Sequence, residues 1–336
     1  MSAPDRREVP ITITVLVSTR DRHVLLERCL RAVLAAPVQP AELLVVDQSS
    51  GTRSRDIARR LREAGHTHLR WVRHTGSGLS ASQNVGLYLA RSSVVLVTDD
   101  DCVPAEDWVA SAGRAFDQDP HLWLLGGRVE ALPGTGLPVS LRTGSMAMAL
   151  DAFTLPWDAG SGNNFAISAA ALAAVGGNDE RLGPGAPLKG GTDMDLFRRV
   201  LRTGARGRYD PAVLVHHERA DTAERLARRV PYGYGTGACI GLWYRQGDPM
   251  ACTVLKAWLR LRASRLRSAL RGGDRLRVRE EVLVLVGTAR GLARGLIVRP
   301  SDPQVGSDAR RDRDAGPDFS PVVPDACPPG EQSSAP

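Results

Sequence analysis

Between Ile11 and about Gly127, short apolar runs rich in β-branched residues alternate with segments of helical periodicity, and this most restricts the folds open to the chain. ITITVLVS (Ile11–Ser18) reads as a buried strand, and an amphipathic helix follows over His23–Ala35. ELLVVD (Glu42–Asp47), a polar helix over Thr52–Ala64 and LRWVR (Leu69–Arg73) repeat the pattern. A helix over Leu79–Arg91 then leads into SVVLVTDDD (Ser93–Asp101). Strands alternating with helices pair in parallel through right-handed crossovers, which predicts an α/β fold. Ligands of such sheets lie beyond the carboxyl ends of the strands. Two of these strand ends carry carboxylates: Asp47, and the triplet Asp99-Asp100-Asp101.

The segment Pro104–His217 is less regular. It holds a Gly/Pro loop (Leu132–Pro138), the stretch SGNNFAIS (Ser161–Ser168) and the loop GPGAPLKGG (Gly183–Gly191), which opens into a helix near Asp193. A last strand is expected around Ala212–Val215, ending at His216. Beyond it Leu255, Trp258, Leu259, Leu266 and Leu270 fall at helical spacing among Lys256, Arg260, Arg265, Arg267 and Arg271. A basic amphipathic helix of this kind lies on an anionic membrane or packs as a helical appendage or dimer contact. The expected divisions are an N-terminal arm at 1–10, an α/β domain at 11–220, a basic helical region at 221–300 and a disordered tail at 301–336.

Charge sharpens that division. The chain carries a net +7, yet Ala251–Pro300 alone holds twelve basic and three acidic residues, so the remainder is slightly acidic. The basic surface is local and belongs to 253–299, where an anionic membrane surface is the expected partner. Nucleic acid is not expected, because that stretch has only Trp258 for stacking. The five cysteines form no CxxC pair, which argues against a zinc knuckle or a disulfide framework and fits a reducing cytoplasm. No apolar run reaches the roughly 18–20 residues of a membrane span, and the first ten residues lack a signal-peptide core. The expected location is cytoplasmic, free or peripheral on the inner face of the membrane.

Three adjacent carboxylates after an apolar strand repel one another unless a cation neutralises them. Mg²⁺ or Mn²⁺ fits, with Asp99 and Asp101 sharing a face by alternation. The competing account is a solvated turn in which Asp101 caps a helix starting near Pro104. His216 is the imidazole chosen to complete the metal shell, against a pair of plain strand-end histidines. Asp193 and Asp195 flank a helix start, where they either cap it or supply a general base.

Taken in order, these motifs resemble the inverting family 2 glycosyltransferases of the GT-A fold, over roughly Ile11–His217, about two-thirds of the chain. The likeness rests on VSTRDR (Val17–Arg22), VVDQSSG (Val45–Gly51), GLSASQNVGL (Gly78–Leu87), the acidic triplet, SGNNFAIS, GGNDERLG (Gly176–Gly183), GGTDMDLFRRVLRTG (Gly190–Gly204) and the strand-end His216. It implies a GT-A-type Rossmann-like mixed sheet flanked by helices, with the basic helices appended at the C-terminus. It also implies a nucleotide-sugar donor, UDP-linked by preference, a Mn²⁺ or Mg²⁺ cofactor and transfer to an acceptor hydroxyl. The acceptor would belong to polysaccharide, glycolipid or glycosylated-metabolite synthesis and could be lipid-linked.

By the same resemblance Thr19, Arg20 and Asp47 line the nucleotide base, and Asn84 lies near the nucleotide. Asp99 contacts ribose or metal, Asp101 ligates the metal, Asn163 and Asn164 shape the sugar and acceptor pocket, and Asp193 is the catalytic base. Two positions depart from the family pattern: Gln83 stands for an Arg and Thr192 for a Glu. The rival functions are a sugar-phosphate nucleotidyltransferase, disfavoured by the glycine-free first loop STRDRHVLL, and a non-catalytic membrane-associated relative.

Overall fold

The computed structural model describes residues 11–298, so the expected N-terminal arm and the tail beyond 300 lie outside the described residues. In chain order the elements are β1 (Ile13–Thr19), α1 (His23–Ala35), β2 (Glu42–Asp47), α2 (Arg53–Glu63), β3 (Leu69–Arg73), α3 (Leu79–Leu89), β4 (Val94–Asp99) and β5 (Cys102–Pro104). There follow α4 (Trp108–Gln118), β6 (Leu122–Ala131), β7 (Met148–Leu150), α5 (Pro156–Ala159), β8 (Asn164–Ser168), α6 (Ala169–Val175), α7 (Thr192–Arg202) and β9 (Arg206–His217). Four helices close the described chain: α8 (Thr222–Ala227), α9 (Arg229–Arg245), α10 (Met250–Arg271) and α11 (Arg275–Ile297).

The strands form one mixed sheet in the order β3-β2-β1-β4-β8-β6-β9-β5, with β7 paired to β9. β3, β2, β1 and β4 are parallel, and β8 runs against both β4 and β6. Strands buried on both faces read as continuous apolar runs, which is why the first half was legible. Val15 and Val17 of β1 face one core, with Leu26, Leu30 and Ile57. Leu16, pointing oppositely, joins the other core with Leu44, Val97, Phe165 and Phe197. Phe165 and Phe197 meet edge-on at 5.2 Å, which fastens α7 to β8.

α3 reaches the sheet at Gly86, where an added Cβ would stand 2.1 Å from a Leu16 methyl. That approach sets the depth of Gln83 at the sheet's carboxyl edge. Leu182, Leu188 and Met194 form a third core with Cys239, Trp243 and Val254. The last strand is longer than expected, and it skips register against β6 between Gly127 and Arg128.

The C-terminal helices are bound closely to the elements before them. α9 carries Gly233, Gly237 and Gly241, and α11 carries Gly287, Gly291 and Gly295, each set at four-residue spacing. A Cβ added at Gly237 would lie 2.1 Å from the Thr288 carbonyl oxygen, and one at Gly291 1.9 Å from that of Tyr234. The two helices therefore touch backbone to backbone, as small-residue repeats allow. A different glycine of α9, Gly235, is pressed on the loop before α7, where its added Cβ would meet Gly190 Cα at 2.4 Å. Trp243 Nε1 donates to Asp195 at 3.0 Å, and Arg198 pairs in two-pronged fashion with Asp248. Among the described residues no helix is long and apolar enough to cross a membrane.

Candidate functional site

The parallel register aligns Thr19 with Asp47 and Ser18 with Asp99, so three strands deliver polar side chains to one edge. Asp47 is fully buried: its Oδ1 accepts from Ser49 N and its Oδ2 from Trp71 Nε1. Arg20, by contrast, is exposed beside Asp21. Thr19 donates to Asp100 Oδ2 at 2.7 Å.

After β4 the chain turns at Asp100 and Asp101 and re-enters the sheet as β5. The competing account, a helix cap at Asp101, does not occur: α4 begins at Trp108, after Asp107. Asp100 and Asp101 are buried, and Arg22 clasps both, its Nη1 lying 2.8 Å from Asp100. Burial pushes the Asp99 carboxyl well above the ordinary value, and Asp101 and Asp100 push it further. Burial also lifts Asp100 to about 6, against the pull of Arg22 and Thr19. Asp101 is penalised by burial too, but His217 and Arg22 outweigh this and hold it below the ordinary value.

The imidazole beside Asp101 is His217, and this corrects the expectation for His216. β5 pairs with β9 so that Cys102 faces His217. His217 is 3% exposed, with Nε2 3.4 Å from Asp101 Oδ1. His216 points away, 3.9 Å from Glu130. The reason is the period of two: buried Val213 and Val215 are continued by 217, not 216.

Asp101, Cys102 and His217 offer ligand atoms within 4.8 Å of one another. Asp101 Oδ1 accepts no hydrogen bond. His217 Nδ1 lies 2.7 Å from the Glu218 carbonyl, a contact that orients the ring with Nε2 facing that carboxylate. The set fits a divalent ion held by Asp101 and His217. Burial raises the Cys102 thiol well above its ordinary range, which keeps it a poor ligand for a hard ion. His217→Ala is expected to raise the Mn²⁺ concentration for half-maximal thermal protection by about tenfold or more, while His216→Ala leaves it unchanged. Equal effects of the two would refute the assignment.

Asp99 and Asp193 line one cavity of about 300 Å³ with Gln83, Asn163, Trp157 and Trp258. Gly191, at φ 85°, turns the chain into α7 and puts Asp193 in its first turn. Gly162 N donates to Asp193 Oδ2 at 2.8 Å. Asp195 is turned away, spent on Trp243 and Arg199. Asn163 is 3% exposed with neither amide atom bonded, so it stands ready for a ligand.

Asn164 does not share that position, contrary to expectation. Its amide is used on Trp108, Arg128 and Val213, where it fills the register skip between β6 and β9. Asn84 is likewise committed to Asn178 and Glu180, joining α3 to the GGNDE loop, and makes no contact at the cavity. Sequence reading missed Arg22 as the clasp, although VSTRDR contains it. It also missed Trp157, Tyr232 and Trp258, which come from three separate elements and leave no local signal.

Residues 14–162 match the family described as Glycosyl transferase family 2. A pre-mycofactocin glycosyltransferase of Mycobacterium tuberculosis is 29% identical over 315 residues, covering 88% of this chain and 59% of that protein. The chain thus spans about three-fifths of that relative's length. Among solved structures, a mannosyltransferase from Pyrobaculum calidifontis in complex with GDP-Man and Mn²⁺ aligns with TM-score 0.60 at 19% identity, covering 84% of this chain and 88% of that one. S. aureus TarS 1-349 in complex with UDP-GlcNAc aligns with TM-score 0.50 at 15% identity, covering 86% and 93%. The acid-tipped parallel strands, the fold and the matched sequence agree: residues 14–162 are similar to glycosyl transferase family 2, and the fold is of the GT-A kind.

Proposed function

We propose that the chain is a metal-dependent, inverting glycosyltransferase that moves a sugar from a nucleoside-diphosphate sugar, UDP-linked by preference, to an acceptor hydroxyl. The observation that carries this reading is the single cavity shared by Asp99, at the end of β4, and Asp193, at the start of α7. Thr19, Arg20 and Asp47 form the nucleotide end. Asp99, Asp101 and His217 form the diphosphate end, and Asn163 with Asp193 forms the sugar and acceptor end. A divalent ion on Asp101 and His217 would neutralise charge on the leaving diphosphate.

The chain's own residues account for the remainder. Asp193, fixed by the Gly162 N–H, accepts the proton of the acceptor hydroxyl as that oxygen forms its bond to the anomeric carbon. The carbon–oxygen bond to the diphosphate breaks on the opposite face, and its electron pair leaves with the nucleotide. That in-line geometry inverts the anomeric centre. Trp157 and Trp258, with ring centres 5.5 Å apart, give the acceptor an apolar wall. The likeness to the pre-mycofactocin glycosyltransferase makes pre-mycofactocin one acceptor to assay.

UDP with Mn²⁺ is expected to raise the melting temperature, with a gain of about 2.7 kcal/mol at a ligand concentration a hundredfold above Kd. Asp101→Ala is expected to abolish this gain. A melting curve unmoved by UDP, GDP and other nucleoside diphosphates would remove the donor site.

A further inference from the structure

The Asp193 cavity adjoins a second, larger one, of about 780 Å³, and the two share Arg142, Trp157, Tyr232 and Trp258 in their walls. Seven arginines and three carboxylates line the larger cavity. Several of those arginines are neutralised nearby. Arg225 and Arg229 pair with Glu280, Arg228 with Glu224, and Arg277 with Asp274.

Three arginines remain in excess or only loosely matched. Arg142 and Arg265 have no carboxylate within ion-pair distance among the described residues. The Arg142 guanidinium lies over the Tyr209 ring and donates to the Asp158 carbonyl, with Nε unpartnered. Arg262 is 2% exposed and lies 4.3 Å over Trp258; it reaches Glu281 at 3.3 Å, while its Nε has no hydrogen-bond partner. A buried guanidinium with an unmet donor stabilises an anion brought to it, and its fork matches carboxylate and phosphate oxygens. Beside it half-buried Trp157 and exposed Tyr232, packed on buried Trp258 at 5.5 and 5.6 Å, offer ring surface to a ligand.

We propose that this cavity is the distal part of the acceptor site, and that the acceptor carries an anionic group, carboxylate or phosphate, held by Arg142, Arg262 and Arg265. The inference rests on the transfer reading above for the word acceptor, and on the cavity alone for the anion. A small acceptor fits better than a bilayer, because these guanidinium groups line a concavity instead of crowning an outer face.

The test is titration of tryptophan emission with phenyl phosphate, phenylacetate and the neutral phenylacetamide. Saturable quenching by one or both anions, and none by the amide, is expected, and the anion that binds more tightly identifies the group. Arg265→Gln, on the exposed side of α10, is expected to weaken binding severalfold without disturbing the fold, and Arg142→Gln with Arg265→Gln by tenfold or more. Quenching by the amide as strong as by the anions, or affinity unchanged in both variants, overturns the proposal. So does a loss of sedimentation with phosphatidylglycerol vesicles in variants whose small-anion titration is unaltered, since the arginines would then serve a bilayer. On the unaltered chain, UDP protection without anion quenching defeats this inference alone. Anion quenching without UDP protection defeats the transfer reading and retains the anion site.

Discussion

Asp193→Asn is expected to lower kcat by about 1,000-fold, the scale of a lost general base, while UDP and Mn²⁺ protect the variant as they protect the unaltered chain. The asparagine keeps the shape of the side chain and can still accept from the Gly162 N–H, so the loss would be chemical and not structural. The pH profile gives an independent reading. Burial raises the Asp193 carboxyl above the ordinary aspartate value, against the lowering by the Met194 and Gly162 N–H groups. A base acts only when deprotonated, so the acid limb of kcat/KM is expected above the roughly pH 4 of an unperturbed aspartate. Rate would be lost as pH falls through that raised pKa. Turnover of Asp193→Asn within tenfold of the unaltered chain, or an acid limb at or below pH ~4, would dismiss Asp193 as the base.

The second large effect is expected from one methyl group. At Gly291 an added Cβ would stand 1.9 Å from the Tyr234 carbonyl oxygen and 2.7 Å from its carbon. These are backbone atoms, so no rotamer change relieves the contact and α9 must move away from α11. Overpacking of this kind costs about 3 kcal/mol, a fall in melting temperature of roughly 6–12 °C. Gly51→Ala, with nothing within 4 Å of the added atom, is the matched control. Thermal melts of the two variants decide the matter, and a Gly291→Ala protein melting with the control would show that the helices do not rest on their glycines. Turnover is expected to fall as well, because α9 also carries Gly235, which is seated on the loop leading to Asp193.

Much of the first half of the fold was legible because its strands are buried on both faces. His23–Ala35 and Glu42–Asp47 occur with the bounds that their patterns predict. The site was legible where chemistry is written in adjacent residues, as in the acidic triplet. It was less so where a single step along a strand decides the face: His216 and His217 are chemically alike, and only the parity of β9 separates them. Asn164 was misplaced for a similar reason. Its demand for partners is met by a register skip between β6 and β9, which no local pattern announces. VPYGYGTGACIGLWYR, inside the region expected to be helical, carries glycines that lower helix propensity. Those glycines become favourable only when a second glycine-spaced helix lies against them.

The backbone contact between α9 and α11 has a further consequence. Teeth of equal spacing on both helices allow more than one mesh, and a slip by one tooth would shift α9 by about 6 Å along its neighbour. Such a slip would keep most of the buried surface yet carry Gly235 away from Gly190, leaving a folded chain with its Asp193 loop unsupported. The features that forbid it lie off the seam: Trp243 on Asp195 and Arg198 on Asp248 act as locating pins that admit one mesh. Correct assembly of these helices is thus checked at the very helix that carries Asp193.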